Sequence, residues 1–321
     1  MLKKYIPWSL RGVGPFLNTY GDPFLFRGIL KSKPIAVNPD ASTAIHSAVP
    51  HRYLNAYLFA IKSFLRYYSD VAVMVHDDGS LLPADYQLIQ DHIPGVEIIS
   101  RQLADQTFAE QYPDPFLAKV RSSYTSYLKL FDPTLFSKGK KIVILDTDTL
   151  FLKKPEAIID WCINGGAPWF HRAPVGKWQP KKKSITEHSR LQDVHIQKLI
   201  MDDLDQINTS LNKNYTLEQG FCSGFIGYSA DSIDFNELKI LFEHLFEKFG
   251  DRIFRWGAEQ TTHGLILCGL GAKGLPVEDY FVFTLANAST AKDGTFVHFV
   301  GENRFHQLIY PKLAKQILSD L

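Results

Sequence analysis

Short apolar runs alternate with amphipathic stretches along most of this chain. That alternation predicts βαβ units around a mostly parallel sheet. Residues 34–37 (PIAV) predict a first strand, closed by the polar turn Asn38-Pro39-Asp40. Across 51–68, Leu54, Leu58, Ile61, Phe64 and Leu65 keep helical spacing. Residues 71–75 (VAVMV) predict a second strand that ends at His76-Asp77-Asp78-Gly79. A helix over 83–92, a third strand over 96–99 and a helix over 116–130, ending near Asp132-Pro133, follow. Residues 141–145 (KIVIL) predict a buried central strand that runs straight into Asp146-Thr147-Asp148-Thr149.

The second half is more mixed. Residues 171–215 are polar and predict loop and helix, and 220–228 a glycine-punctuated strand. An amphipathic helix over 233–249, a shorter one over 259–267, a strand over 295–300 and a closing helix over 306–321 complete the pattern. Residues 1–32 show no clean period and are rich in Gly, Pro and aromatics. They predict an irregular N-terminal arm packed on one domain spanning 33–321 with a small C-terminal lobe.

Composition narrows the picture. With 321 residues, 45% of them hydrophobic, the chain can bury a full core. It has 35 basic and 34 acidic side chains and a formal net charge of +1, which gives no reason to expect nucleic acid as a partner. Lys181, Lys182 and Lys183 form its one dense basic run, read as a solvated loop. Cys162, Cys222 and Cys268 are far apart and form no CxxC pair, so neither a disulfide framework nor a zinc site is expected. The first ten residues, MLKKYIPWSL, lack the apolar core of a signal peptide, and no stretch approaches the ~20 apolar residues that span a bilayer. A cytoplasmic protein is expected, with peripheral attachment to a membrane left open.

The strongest chemical signal is Asp146-Thr147-Asp148. In open α/β sheets, ligands sit beyond the carboxyl ends of strands. Carboxylates two apart on a turning backbone can point at one cation, and a hard cation such as Mn²⁺ or Mg²⁺ prefers their oxygens together with those of a diphosphate. Such a cation neutralises charge on a nucleoside diphosphate as it leaves. The second signal is His298-Phe299-Val300-Gly301. His298 offers an imidazole as a third metal ligand, Gly301 permits close backbone approach to a phosphate, and Arg304 can clamp a diphosphate. Asp77, just before Asp78-Gly79, reads as a turn-forming residue.

These motifs occur in an order that resembles the nucleotide-sugar glycosyltransferases of the GT-A fold, and most of all family eight, the glycogenin and bacterial galactosyltransferase group. Ala36 to Asp40 sits where that family contacts the nucleotide. Ala60-Ile61-Lys62-Ser63 is similar to its "AxKS" stretch, and Val75 to Gly79 to its "HVLDxG" strand end. Tyr127 to Leu130 and Leu145 to Thr149 resemble the pair "YxRLxL … YLDxDxL". Phe221-Cys222-Ser223-Gly224 stands for "FNAG", Glu259-Gln260 for Asp-Gln, and His298 to Arg304 for "HFxGxxKPW". The chain departs from the pattern at Lys129, Cys222, Glu259 and Arg304-Phe305-His306, where the family has Arg, Asn, Asp and Lys-Pro-Trp.

The resemblance implies a GT-A (Rossmann-like) mixed sheet flanked by helices, and transfer of a hexose from a uridine-diphosphate sugar to a glycan, lipid or protein acceptor. It implies Asp146, Asp148 and His298 around Mn²⁺ or Mg²⁺. It implies Asn38, Asp40, Lys62, Asp77, Lys129, Gly224, Gly301 and Arg304 on the donor, and Glu259 and Gln260 as catalytic residues on the sugar and acceptor side. It also implies retention of configuration with the leaving diphosphate as base; in an inverting enzyme Glu259 would be the base. Two rivals stand beside it. A sugar nucleotidyltransferase would carry a Gly-rich signature after the first strand, which Asn38-Pro39-Asp40-Ala41-Ser42 lacks. A degenerate domain that binds a nucleotide or glycan without turnover is the other.

Overall fold

Ten strands form among the described residues. In chain order they are β1 (Thr43–Val49), β2 (Ala72–Asp77), β3 (Glu97–Ile99), β4 (Lys141–Leu145), β5 (Thr149–Phe151), β6 (Trp169–Arg172), β7 (Phe221–Tyr228), β8 (Lys273–Gly274), β9 (Tyr280–Val282) and β10 (Phe296–His298). The computed structural model describes residues 7–173 and 194–321. The Lys181–Lys183 run and the first six residues lie outside the described residues. The protein is mixed α/β, with a mostly parallel sheet flanked by helices, as the alternation predicts. Its residues divide into two compact units built from interleaved segments: 1–101, 145–165 and 276–321 in the first, 102–144 and 166–275 in the second.

In the first unit β1, β2 and β3 run parallel, with Val49 of β1 opposite Asp77 of β2. The Leu54–Leu65 helix joins β1 to β2 and is buried along its whole length. Lys62 within it is enclosed: its ammonium donates to Ser32 Oγ at 2.5 Å and to the Lys33 carbonyl at 2.6 Å, and lies 3.3 Å from His92 Nδ1. Burial pulls the Lys62 pKa down to about 8. In the same unit β10 pairs parallel with β9 and antiparallel with β5. Ser63 Oγ accepts the Phe151 amide at 3.0 Å, tying β5 to the helix.

The second unit holds β6 between β7, antiparallel, and β8, parallel. Its core joins Ile142 and Ile144 of β4 to Phe170, Phe221, Ile226 and the helix Phe235–Phe249. Asp234 caps that helix, its carboxylate accepting the Asn236 amide at 2.7 Å. Trp169, Phe170 and His171 are buried in β6, where Trp169 packs on Phe225 with ring centroids 4.6 Å apart.

Several elements differ from expectation, among them the arm expected to be irregular, which carries the helix Val13–Tyr20, and an added helix at Arg101–Gln111. The first strand is 43–49, not 34–37. Pro34 and Pro39 cannot donate to a ladder, and 34–37 runs as an extended segment whose Ile35 and Val37 amides bond the His92 and Pro94 carbonyls. In β1, His46 and Ser47 interrupt the apolar signal, yet both are buried. His46 Nδ1 lies 2.9 Å from His76 Nε2 on β2, and burial, with His76 beside it, holds the His46 imidazole neutral. The helix expected over 116–130 is two: Pro115–Ser123 and Leu128–Phe136, the second continuing through Pro133. Arg121 of the first clamps Asp132 of the second through Nε at 2.7 Å, a buried ion pair across the break. The closing helix, Ile309–Ile317, begins after an irregular turn over Gly301–Leu308.

Candidate functional site

Strand register brings the metal-ligand candidates together. Beyond the carboxyl end of β4 the chain turns through Asp146-Thr147-Asp148, where Thr149 Oγ1 donates to the Asp146 carbonyl at 2.9 Å. It then enters β5, whose Thr149 stands opposite His298 of β10. The Phe299 amide donates to the Asp148 carbonyl at 2.8 Å and continues the pairing. The result is that His298 Nε2 lies 3.1 Å from Asp148 Oδ1 and 3.7 Å from Asp146 Oδ2. One ligand atom from each of the three side chains lies within 4.8 Å of the other two. Two carboxylates and one imidazole in that span suit a divalent cation with a preference for oxygen, such as Mn²⁺ or Mg²⁺.

Arg304 completes the surroundings. Its Nη2 pairs with Asp148 Oδ2, its Nε donates to the Phe299 carbonyl at 2.8 Å, and its guanidinium stands 5.0 Å from the Tyr53 ring centroid. Burial opposes ionisation of Asp148, but Arg304 and His298 outweigh it and hold the carboxyl well below the usual range. Asp148 is therefore a fixed anion. Gly301 adopts a φ of +74°, the left-handed region that favours glycine, and a side chain added there would meet nothing within 4 Å. The backbone before Arg304 is thus open to a ligand.

Sequence reasoning missed the residues at the carboxyl end of β1. His51 Nδ1 lies 2.6 Å from Asp85 Oδ2. Tyr53 donates to the Asn18 carbonyl at 3.1 Å. Asp22 caps the Leu54–Leu65 helix from outside it, its two oxygens accepting the Asn55 amide at 3.0 Å and the Ala56 amide at 2.8 Å. Pro50-His51-Arg52-Tyr53 follows the TAIHSAV strand and leads into the Leu54–Leu65 helix. Burial pushes Asp22 up to about 7, against the pull of those two amides, Arg304 and His51. A folded-state pKa above the unfolded value of ~3.9 gives stability that is full below pH ~4 and lost as pH rises through about 7, roughly 4 kcal/mol as an upper bound. Asp22→Asn is expected to flatten the fall in melting temperature between pH ~4 and ~8. An unaltered pH slope in calorimetry would show that Asp22 does not titrate there.

The remaining candidates separate. Asn38 and Asp40 precede β1 and so lie at its amino end, away from the Asp77 end of the strands. There Asn38 Oδ1 accepts the Asp40 amide at 3.0 Å and its Nδ2 donates to Asp70 Oδ1 at 2.7 Å, a turn-forming arrangement. Asp77 does lie at the carboxyl end of β2. Its carboxylate accepts the Gly79 amide at 2.7 Å, the Leu81 amide at 3.1 Å and the Tyr86 hydroxyl at 2.8 Å, which gives it the turn role. Lys62 makes the interior contacts already described.

Lys129, Gly224, Glu259 and Gln260 belong to the second unit. Glu259 opens the Ala258–Gly269 helix, and Lys129 Nζ and His263 Nε2 lie 3.4 and 3.3 Å from its Oε1. The Tyr228 hydroxyl lies 2.7 Å from His263 Nδ1. When it donates there, the ring proton sits on Nε2, facing the carboxylate. Burial raises the Glu259 pKa, but Lys129 and His263 outweigh it and the net shift is downward. Glu259 is thus a buried, ionised acceptor and a weak base. Gly224 is buried in β7 and Gln260 half-buried.

No family model and no curated protein matches the chain. Among solved structures it is similar to the apo WbbM bifunctional glycosyltransferase, with 14% identity, a TM-score of 0.48 and 87% of this chain aligned. It spans about half of that protein, 51% of its length. It is also similar to the galactosyltransferase LgtC bound to donor and acceptor sugar analogues, with 13% identity, TM-score 0.45, and 87% of this chain against 100% of LgtC. The GDP complex of the mannosyltransferase Ktr4p from S. cerevisiae gives 15% identity, TM-score 0.45, and 80% against 77%. At this level of likeness, function has to be argued from the chain's own residues. No helix among the described residues is long and apolar enough to cross a membrane.

Proposed function

We propose that this protein is a metal-dependent glycosyltransferase that moves a hexose from a uridine-diphosphate sugar. The observation that carries the reading is the convergence of Asp146, Asp148 and His298 within 4.8 Å beyond a central strand. These three side chains would hold Mn²⁺ or Mg²⁺, which supplies charge neutralisation to a departing diphosphate. Arg304, beside Asp148, presents a guanidinium that fits a phosphate oxygen pair, and open backbone at Gly301 lets a phosphate approach. Lys129, Gly224, Glu259 and Gln260 take the sugar side on the strength of the resemblance alone. An ionised, lysine-paired Glu259 accepts hydrogen bonds from sugar hydroxyls better than it abstracts protons. That supports retention, in which no side chain need be the general base and the protein contributes positioning and electrostatics.

The reading is tested by a thermal-shift panel of nucleotide sugars with and without Mn²⁺. A ligand at ~100 times its Kd adds about 2.7 kcal/mol to the folded state, a shift of several degrees. A uridine-diphosphate hexose should raise the melting temperature only with Mn²⁺, and slow release of uridine diphosphate should stop on chelation. No stabilisation by any nucleotide sugar, or release indifferent to chelator, would overturn it.

A further inference from the structure

Helices normally turn their apolar side chains inward. The Val13–Tyr20 helix does the reverse. Its Val13, Phe16 and Tyr20 are 76%, 45% and 47% exposed, and their spacing sets them along one line of the helix. Phe16 and Tyr20 touch, ring centroids 5.3 Å apart. The other side is used for folding: Asn18 is buried and its carbonyl takes the Tyr53 hydroxyl. Leu10 just before the helix and Phe24 just after it are 61% and 79% exposed. So many large apolar groups within residues 10–24 exceed the single exposed hydrophobics of an ordinary surface.

Charge says what this face meets. Across residues 7–33, Arg11, Arg27, Lys31 and Lys33 are exposed, while the one acidic side chain, Asp22, is buried. The chain as a whole is nearly neutral, so this excess of positive charge is local. Exposed aromatics and exposed positive charge within one segment match the boundary of an anionic bilayer, where rings enter the headgroup region and basic residues meet the phosphates.

We propose that the face formed by Leu10, Val13, Phe16, Tyr20 and Phe24 docks the protein on an anionic lipid surface. The helix packs against the Gly301–Leu308 turn that bears Arg304, so docking brings the surroundings of Asp148 close to the lipid. Taken with the transferase reading, on which this last step rests, it favours an acceptor carried by lipid.

The test is sedimentation of the full chain with vesicles, without donor or metal, so that its outcome is independent of transferase activity. Vesicles of phosphatidylcholine with about a third phosphatidylglycerol should retain the protein, phosphatidylcholine alone should not, and added salt should weaken retention. The double variant Phe16→Ser/Phe24→Ser should lose about tenfold or more in partitioning at an unchanged melting temperature. Absence of binding to anionic vesicles at low salt, or equal binding by the double variant, would overturn the proposal. So would a dimer in sedimentation velocity that the same substitutions dissolve, because it would assign the face to a second copy of the chain.

Discussion

Asp148→Asn is expected to abolish metal-dependent donor binding and lower turnover by at least about 10³-fold. The wild-type carboxylate faces His298 through one oxygen and Arg304 through the other. The amide keeps the shape but removes the charge that a divalent cation needs, and replaces one acceptor with a donor aimed at a donor. Stability also falls, because Arg304 is left without its buried counter-charge, a loss on the order of 3 kcal/mol. The readout therefore separates the two effects: circular dichroism confirms that the variant is folded, and calorimetry with Mn²⁺ and nucleotide sugar tests binding. A folded variant that still binds donor only in the presence of Mn²⁺ would remove Asp148 from the metal site.

Glu259→Ala is expected to destabilise the second unit strongly. It strips Lys129 of its partner while the ammonium stays buried, its side chain only 10% exposed. Breaking a buried pair from one side costs about 3–5 kcal/mol, whereas replacing both partners with apolar groups of similar size is often neutral. The double variant Lys129→Met/Glu259→Leu should therefore recover much of the loss in urea denaturation, while neither restores turnover. If the single and double variants are equally unstable, the pair is not what holds this region together.

The sequence showed the chemistry more clearly than the frame around it. Asp146 and Asp148 were legible because a run as apolar as KIVIL ending in two carboxylates has few structural explanations. His298 was legible only in combination, since an imidazole in an apolar strand is ordinary until the β5–β10 register is known. β1 was hidden because burial on both faces let His46 and Ser47 replace apolar residues, each satisfied by a partner: His76 for the one, and for the other the Leu145 carbonyl at 2.7 Å. With that strand placed at 34–37, Asn38 and Asp40 read as following it, whereas they precede β1. Asp22 was not legible at all. Its role is to cap a helix more than thirty residues away, and no local pattern announces a long-range cap.

The pairing of β10 with β5 has a consequence for how the protein is made. The carboxylates leave the ribosome some 150 residues before the imidazole that joins them. A nascent chain stopped anywhere short of residue 298 lacks one of the three proposed ligands, however well its earlier strands have folded. The proposed three-residue cation site can therefore assemble only after β10 has been made and has paired with β5, laid down long before.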